Sequence, residues 1–145
     1  GAIRDLLDEG KILLAGISNA NPEQIRLAQD VLGGRLASVQ NQFSPAFRSS
    51  EPELELCAKL GIAFLPWSPL GGIARAAELG SRFAAFDDVA RERGVSPQQV
   101  ALAWSLAKAP VVVPIPGASR PESVLDSVQA VNVVLSEDEI ARLDR

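Results

Sequence analysis

Four short apolar runs punctuate the chain, and each is followed by a turn and then a helical pattern. They are Lys11 to Ile17 (KILLAGI), Ala37 to Phe43 (ASVQNQF), Ile62 to Pro66 (IAFLP) and the Val111 to Val113 run inside PVVVP. All four read as strands, and the Val111 to Val113 run, which lacks alternation, reads as a parallel strand covered on both faces. Residues 2 to 9 read as the last turns of a helix stopped by Gly10. Asn21-Pro22-Glu23 opens a helix to about Leu32, ended by Gly33-Gly34, and Glu51-Pro52 opens one to about Leu60, stopped by Gly61. Residues 70 to 81 are small and read as a loop. Arg82 to Arg93 reads as a helix ended by Gly94. Ser96-Pro97-Gln98-Gln99 reads as a capping box for a helix through Ala107. Pro121-Glu122 starts a helix to about Ala130, and Ser136 caps a last short helix over 137–143.

Strands alternating with helices require a parallel sheet. The even rhythm predicts the C-terminal half of a (β/α)8 barrel. It has four parallel strands with their helices plus an extra helix at the end, in one domain over residues 1–145. A complete barrel of this kind runs to about 250 residues. A doubly wound sheet is the alternative. Against it, no Gly-x-Gly-x-x-Gly follows a strand and no Gly-x-x-x-x-Gly-Lys is present.

Composition limits the partners. A net charge of −4 argues against nucleic acid, whose phosphates need a basic face. No apolar run is long enough to span a membrane, and no signal peptide opens the chain. The single Cys57 cannot form an internal disulfide. It reads as a small buried hydrophobe in a reducing, cytoplasmic setting. The chain has no His, no Tyr and no Met. The commonest proton-transfer side chains are thus missing, and Gly1 reads as a cut or added end.

In a barrel, chemistry gathers at the C-terminal ends of the strands. Those ends carry Ser18 and Asn19, then Gln40, then Trp67 and Ser68, then Gly117 to Arg120. Asn19 and Gln40 each donate and accept, as a carboxamide ligand requires. Trp67 offers a stacking face. Gly117 to Arg120 lead into a helix N-terminus, where free N–H groups and a guanidinium suit a phosphate. Arg120 stands where Ser, Thr, Asp or Asn would cap best, and its charge opposes the helix dipole by about 0.3–1 kcal/mol. A bound anion would offset that. Each residue also has a plainer reading: an ordinary turn for Ser18-Asn19, core for Trp67, a solvated loop for Arg120.

AGISNA at 15–20, VQNQFSP at 39–45, FLPWSPLGG at 64–72, SPQQVALAW at 96–104 and VVPIPGASRPE at 112–122 together resemble the aldo-keto reductase family. The resemblance spans the chain and implies NADP(H)-dependent reduction of aldehydes and ketones. It implies that Ser18, Asn19 and Gln40 hold the nicotinamide carboxamide and that Trp67 stacks on the ring. Ser68 and Leu70 would line the pyrophosphate path. Gly117 to Arg120, Ser119 among them, would approach the 2′-phosphate, with Ser123, Asp126 and Ser127 near the adenine. Ser123 and Ser127 are shorter than the family's usual residues, and Asp126 has less reach. The family's catalytic Asp, Tyr, Lys and His lie in the first half of its barrel. Asp5 and Lys11 sit near the N-terminal side of the first strand and do not replace them. The expectation is a cofactor-binding half, inactive alone and acting on a small carbonyl substrate only in the intact enzyme. Its open edges would pair with the N-terminal half-barrel or with a second copy in a homodimer. The alternative is a non-catalytic nucleotide-binding or structural half-barrel.

Overall fold

The computed structural model describes residues 1–145, except for the side chains of Ile73 and Ala74. The chain runs α1 (Ala2–Asp8), β1 (Ala15–Ser18), α2 (Pro22–Val31), β2 (Leu36–Gln40), α3 (Glu51–Leu60), β3 (Ala63–Phe64), α4 (Ile73–Ala76), α5 (Leu79–Arg82), α6 (Ala84–Arg93), α7 (Pro97–Ala107), α8 (Pro121–Gln129), a 3-10 turn (Ala130–Asn132) and α9 (Glu137–Leu143). The sheet order is β1-β2-β3, all parallel. The fourth run lies beside β3 in parallel register through Phe64–Val112 and Trp67–Ile115.

That fourth run is held by alternate residues. Phe64 N–H donates to Val111 O (2.9 Å), Val113 N–H to Phe64 O (2.8 Å) and Ile115 N–H to Pro66 O (3.1 Å). Pairing thus continues past Pro114, although proline has no N–H to donate to a ladder. The physical reason is parity. Residues 111, 113 and 115 point their polar groups at β3, so the N–H missing at Pro114 and Pro116 belongs to the outer edge. Val112 N–H turns back to Ala109 O.

The helix-facing side of the sheet is the core. Val39, Phe43, Phe64 and Val112 are buried there, together with Val89 of α6 and Val100 and Trp104 of α7. Trp104 stacks on Phe43 at 5.2 Å and meets Phe86 edge-on. Residues Val100 to Ser105 of α7 are all buried, as a helix apolar on every side must be. The other face of the sheet is not covered. Gly16, Ser18, Val113 and Ile115 are exposed and Ser38, Gln40 and Ala63 half-buried, which corrects the expectation that the Val111 to Val113 run is covered on both faces. Gly16 lets the two strands lie close, because a Cβ there would meet Ser38 Oγ and come within 3.0 Å of the Ser38 carbonyl oxygen.

Three further expectations change. The first strand begins at Ala15, and Leu13 and Leu14 are 89% and 75% exposed. The 70–81 segment is not a loop but carries α4 and α5. Its Ala, Arg, Glu and Leu residues are strong helix formers, and Leu79 is buried. The capping box of α7 is half made. Ser96 Oγ accepts from Gln99 N–H (3.0 Å), but the Gln99 amide donates elsewhere, to Asp126. Full boxes occur instead at Asn21–Gln24 and Ser136–Glu139.

The final helix is tied down by charge. Arg93 donates two hydrogen bonds to Glu139 (2.7 and 2.6 Å). Trp104 Nε1 and Lys108 Nζ both donate to Asp144 Oδ1 at 2.7 Å. Burial raises the Asp144 carboxyl, but these two donors outweigh it and leave it below its ordinary value. No described helix is long and apolar enough to cross a membrane.

Candidate functional site

The strand ends converge on one rim. At its start, β1 closes into Asn19, whose φ of 54° is left-handed, a region Asn tolerates better than most residues. That turn points the Asn19 amide at Trp67, and Trp67 Nε1 donates to Asn19 Oδ1 (3.0 Å). The NH2 end of Asn19 is left without a protein acceptor among the described residues. Ser18 Oγ donates to the Gln40 carbonyl (2.7 Å), which also accepts from Asn19 N–H (3.0 Å). Both ends of the half-buried Gln40 side chain lack a partner among the described residues. Ser18, Asn19, Gln40 and Trp67 thus form one linked group with spare donors and acceptors.

The buried amide of this region is Asn41, not Gln40. Asn41 is 5% exposed. Its Nδ2 donates to Ala20 O (2.9 Å) and its Oδ1 accepts from Ala20 N–H (3.1 Å). The pair satisfies two backbone groups in the turn after β1 and pins that turn to β2. Asn41 was not among the residues singled out in the sequence. Strict alternation through Val39, Asn41 and Phe43 would have located it on the core face.

The middle of the rim is a cleft of about 210 Å³ between Ser68–Leu70 and Ile115–Gly117. Ser68 is also left-handed, at φ 49°. Leu70 and Gly117 continue from this cleft into a larger one of about 390 Å³. Its wall brings together Gly117, Ser119, Arg120, Ser123, Asp126 and Ser127, with Leu70 opposite. All the expected residues therefore lie on the rim, and those of the last turn share one cleft. A separate shallow cleft of about 280 Å³ begins beside Asn19 and Trp67.

The donor set of the large cleft fits a phosphate. Arg120 is the N-cap of α8 without a side-chain capping bond. It is exposed and has no carboxylate partner among the described residues. The N–H groups of Gly117, Ala118, Ser119, Arg120 and Glu122 find no backbone acceptor among the described residues. An anion at a helix N-terminus satisfies such groups. Asp126 lines this cleft and is also bonded within the protein. Its Oδ2 accepts from Ser96 Oγ (2.8 Å) and its Oδ1 from Gln99 Nε2 (2.6 Å), so it braces α8 against α7. Gln98, next to Gln99, donates to Ala76 O (2.6 Å), so the first turn of α7 holds both walls of the cleft. Ser96, Gln98 and Gln99 carried only a capping signal in the sequence.

Two negative points bound the chemistry. Asp5 lies in α1, and Lys11 pairs with Glu9 at 2.6 Å before β1 begins, so neither reaches the rim. Burial, with Glu53 adding to it, pushes the Cys57 thiol up to about 11, which makes it a poor nucleophile.

Comparison with known proteins agrees with this geometry. The sequence model described as "Aldo/keto reductase family" matches residues 1–145. An uncharacterized oxidoreductase of Schizosaccharomyces pombe is 36% identical over 138 residues, which is 94% of this chain and 42% of the relative. Pyridoxine 4-dehydrogenase of Escherichia coli is 31% identical over 142 residues, 98% of this chain and 47% of the relative. The crystal structure of an aldo-keto reductase from Klebsiella pneumoniae in complex with NADPH superposes with a TM-score of 0.86 at 29% identity, covering 99% of this chain and 51% of that one. The chain spans about half the length of the curated relatives it matches. The four-stranded arc is therefore half of a (β/α)8 barrel, and the chain belongs to the aldo/keto reductase family.

Proposed function

We propose that this chain binds NADP(H) along the rim and supplies the cofactor-holding half of a carbonyl-reducing enzyme. The observation that carries the reading is the large cleft. It is lined by Arg120, which has no carboxylate partner among the described residues, and by residues whose N–H groups have no backbone acceptor there, and Leu70 and Gly117 connect it to the middle cleft beside Ser68.

When bound, the cofactor supplies the hydride for reduction of an aldehyde or ketone. The chain's own residues orient it. Asn19 and Gln40 donate to the carboxamide oxygen, and Gln40 and Ser18 accept from its NH2. The Trp67 indole, held by Asn19, gives the ring a flat apolar wall. Ser68 and Leu70 guide the pyrophosphate. Gly117, Ser119 and Arg120 hold the 2′-phosphate, with Ser123, Asp126 and Ser127 beside the adenosine. No His or Tyr is present in the 145 residues, so the proton delivered to the carbonyl oxygen comes from outside them, and the chain by itself binds without turnover. The open sheet face and edges are completed by a second half-barrel, either the family's N-terminal half or another copy. A reduced, buried Cys57 suits a cytoplasmic setting.

Titration with NADPH, followed by tryptophan fluorescence, tests this. Quenching is expected, and it is expected to weaken in Trp67→Phe, because Trp67 stands at the rim while Trp104 is buried in the core. Absence of quenching at millimolar NADPH overturns the reading. Oxidation of NADPH with an aldehyde by the chain alone overturns its second part.

A further inference from the structure

Asn41 follows β2 directly, is buried, and spends both ends of its amide on one residue, Ala20. We propose that Asn41 is a positioning residue for the nicotinamide carboxamide. It holds Asn19 and Trp67 in place relative to each other and so fixes the Asn19 amide as a donor toward the ligand. The inference rests on the reading of this part of the rim as the nicotinamide end of the groove.

The geometry is a bridge between three strand ends. The peptide groups before and after the Asn19 Cα define its φ and ψ, and both are anchored to the β2 side. The first is held by main chain, since Asn19 N–H donates to Gln40 O at 3.0 Å. The second is held by a side chain. Ala20 N–H donates to Asn41 Oδ1 at 3.1 Å, and Asn41 Nδ2 donates to Ala20 O at 2.9 Å. Asn19 is thereby kept left-handed at φ 54°, a conformation that an L-residue other than Gly leaves unless its surroundings hold it. Asn41 also reaches the third strand end, because its carbonyl accepts from Trp67 N–H at 3.0 Å. One buried residue therefore holds both members of the pair in which Trp67 Nε1 donates to Asn19 Oδ1.

That pair sets a polarity. An indole N–H can only donate, so it takes the Asn19 oxygen and leaves the Asn19 NH2 group for a ligand. Such a group meets a carboxamide through its oxygen, and a carboxamide turned end for end would set NH2 against NH2. Without the Asn41 amide, the peptide between Asn19 and Ala20 loses its anchor, the left-handed turn relaxes, and Asn19 swings off the indole. The Gln40 side chain does not share this duty, since it bonds neither residue.

The chain holds two tryptophans, so two indole N–H resonances carry the test in a proton–nitrogen NMR spectrum of the folded chain without cofactor. Trp67 reports its bond to Asn19. Trp104, bonded to Asp144, is the internal control. Asn19→Gly marks where the Trp67 resonance lies once that bond is gone, since Gly adopts the left-handed conformation freely. Asn41→Ala is expected to move the Trp67 resonance toward that position, to leave Trp104 unchanged, and to weaken NADPH about three- to tenfold in calorimetry. Asn41→Asp still accepts from Ala20 N–H, so it is expected to lie between Asn41→Ala and the wild type, and it carries the test should Asn41→Ala not fold. A folded Asn41 variant with an unmoved Trp67 resonance overturns the inference. So does one that moves both resonances alike, the mark of general loosening, or one that shifts Trp67 with NADPH affinity unchanged. Failure of the wild type to bind NADPH overturns the cofactor reading, and the inference about the carboxamide falls with it.

Discussion

Two neighbouring amides in β2 and its extension have opposite duties. Asn41 faces the core and closes a reciprocal pair with Ala20. Gln40 faces the open side of the sheet and holds nothing among the described residues. Asn41→Ala therefore strands two backbone groups and is expected to lower stability by about 2–4 kcal/mol. Gln40→Ala is expected to stay within about 0.5 kcal/mol of the wild type yet weaken NADPH quenching. Urea unfolding of the two variants, with the NADPH titration beside it, checks both. A large loss of stability in Gln40→Ala would mean that its side chain is bonded. At this scale the residue types of the rim were legible, because strand ends and turn residues mark them. The partner of each amide was not, since a period of two shows only which side a residue faces.

At the scale of elements, α9 shows how a short helix is kept in place. Its seven residues are too few to be stable alone. A capping box at Ser136 and the paired hydrogen bonds from Arg93 hold it. The Arg93 guanidinium, helped by Ser136 N–H, lowers the Glu139 carboxyl from its ordinary 4.5 to about 2. A depressed carboxylate stabilises the fold above its unfolded value and ceases to do so as it is protonated. The melting temperature is thus expected to fall as pH drops from about 4.5 to about 2. Glu139→Gln should lose that part of the pH dependence and melt lower at neutral pH. Parallel pH profiles of the two proteins would expose a mistake here. Helix starts such as Ser136 were readable because a cap is local chemistry. The cap at Ser96 was readable only in part, since Gln99 is drawn away by Asp126, 27 residues further along. The 70–81 segment was misread for a related reason. Small residues suggest a loop, but burial of Leu79 and the bond from Gln98 to Ala76 support helical turns.

For the whole molecule, the two sheet edges are unlike. The outer edge of 112–116 offers carbonyls but no free N–H, with Pro at 114 and 116 and Val112 bonded to Ala109. Asn19 N–H bonds β2, so by alternation Gly16 and Ser18 present N–H groups outward from β1. An edge that only accepts cannot pair with itself but can pair with one that donates. Exposed Leu13, Leu14 and Val113 lie near these edges. Size-exclusion chromatography with light scattering of the 145-residue chain is expected to show an assembly larger than the monomer. A cooperatively unfolding monomer at micromolar concentration would contradict it.

The sequence by itself determined the parallel strand–helix order, the capped helix starts at Asn21, Ser96 and Ser136, the family resemblance and the residue types of the rim. These rest on local periodicity, capping chemistry and turn residues. Only the tertiary structure decided that one sheet face is open, that Asn41 rather than Gln40 is the buried amide, and that Asp126 is braced by α7. Those outcomes depend on contacts between residues far apart in the chain, and no local pattern encodes such distances.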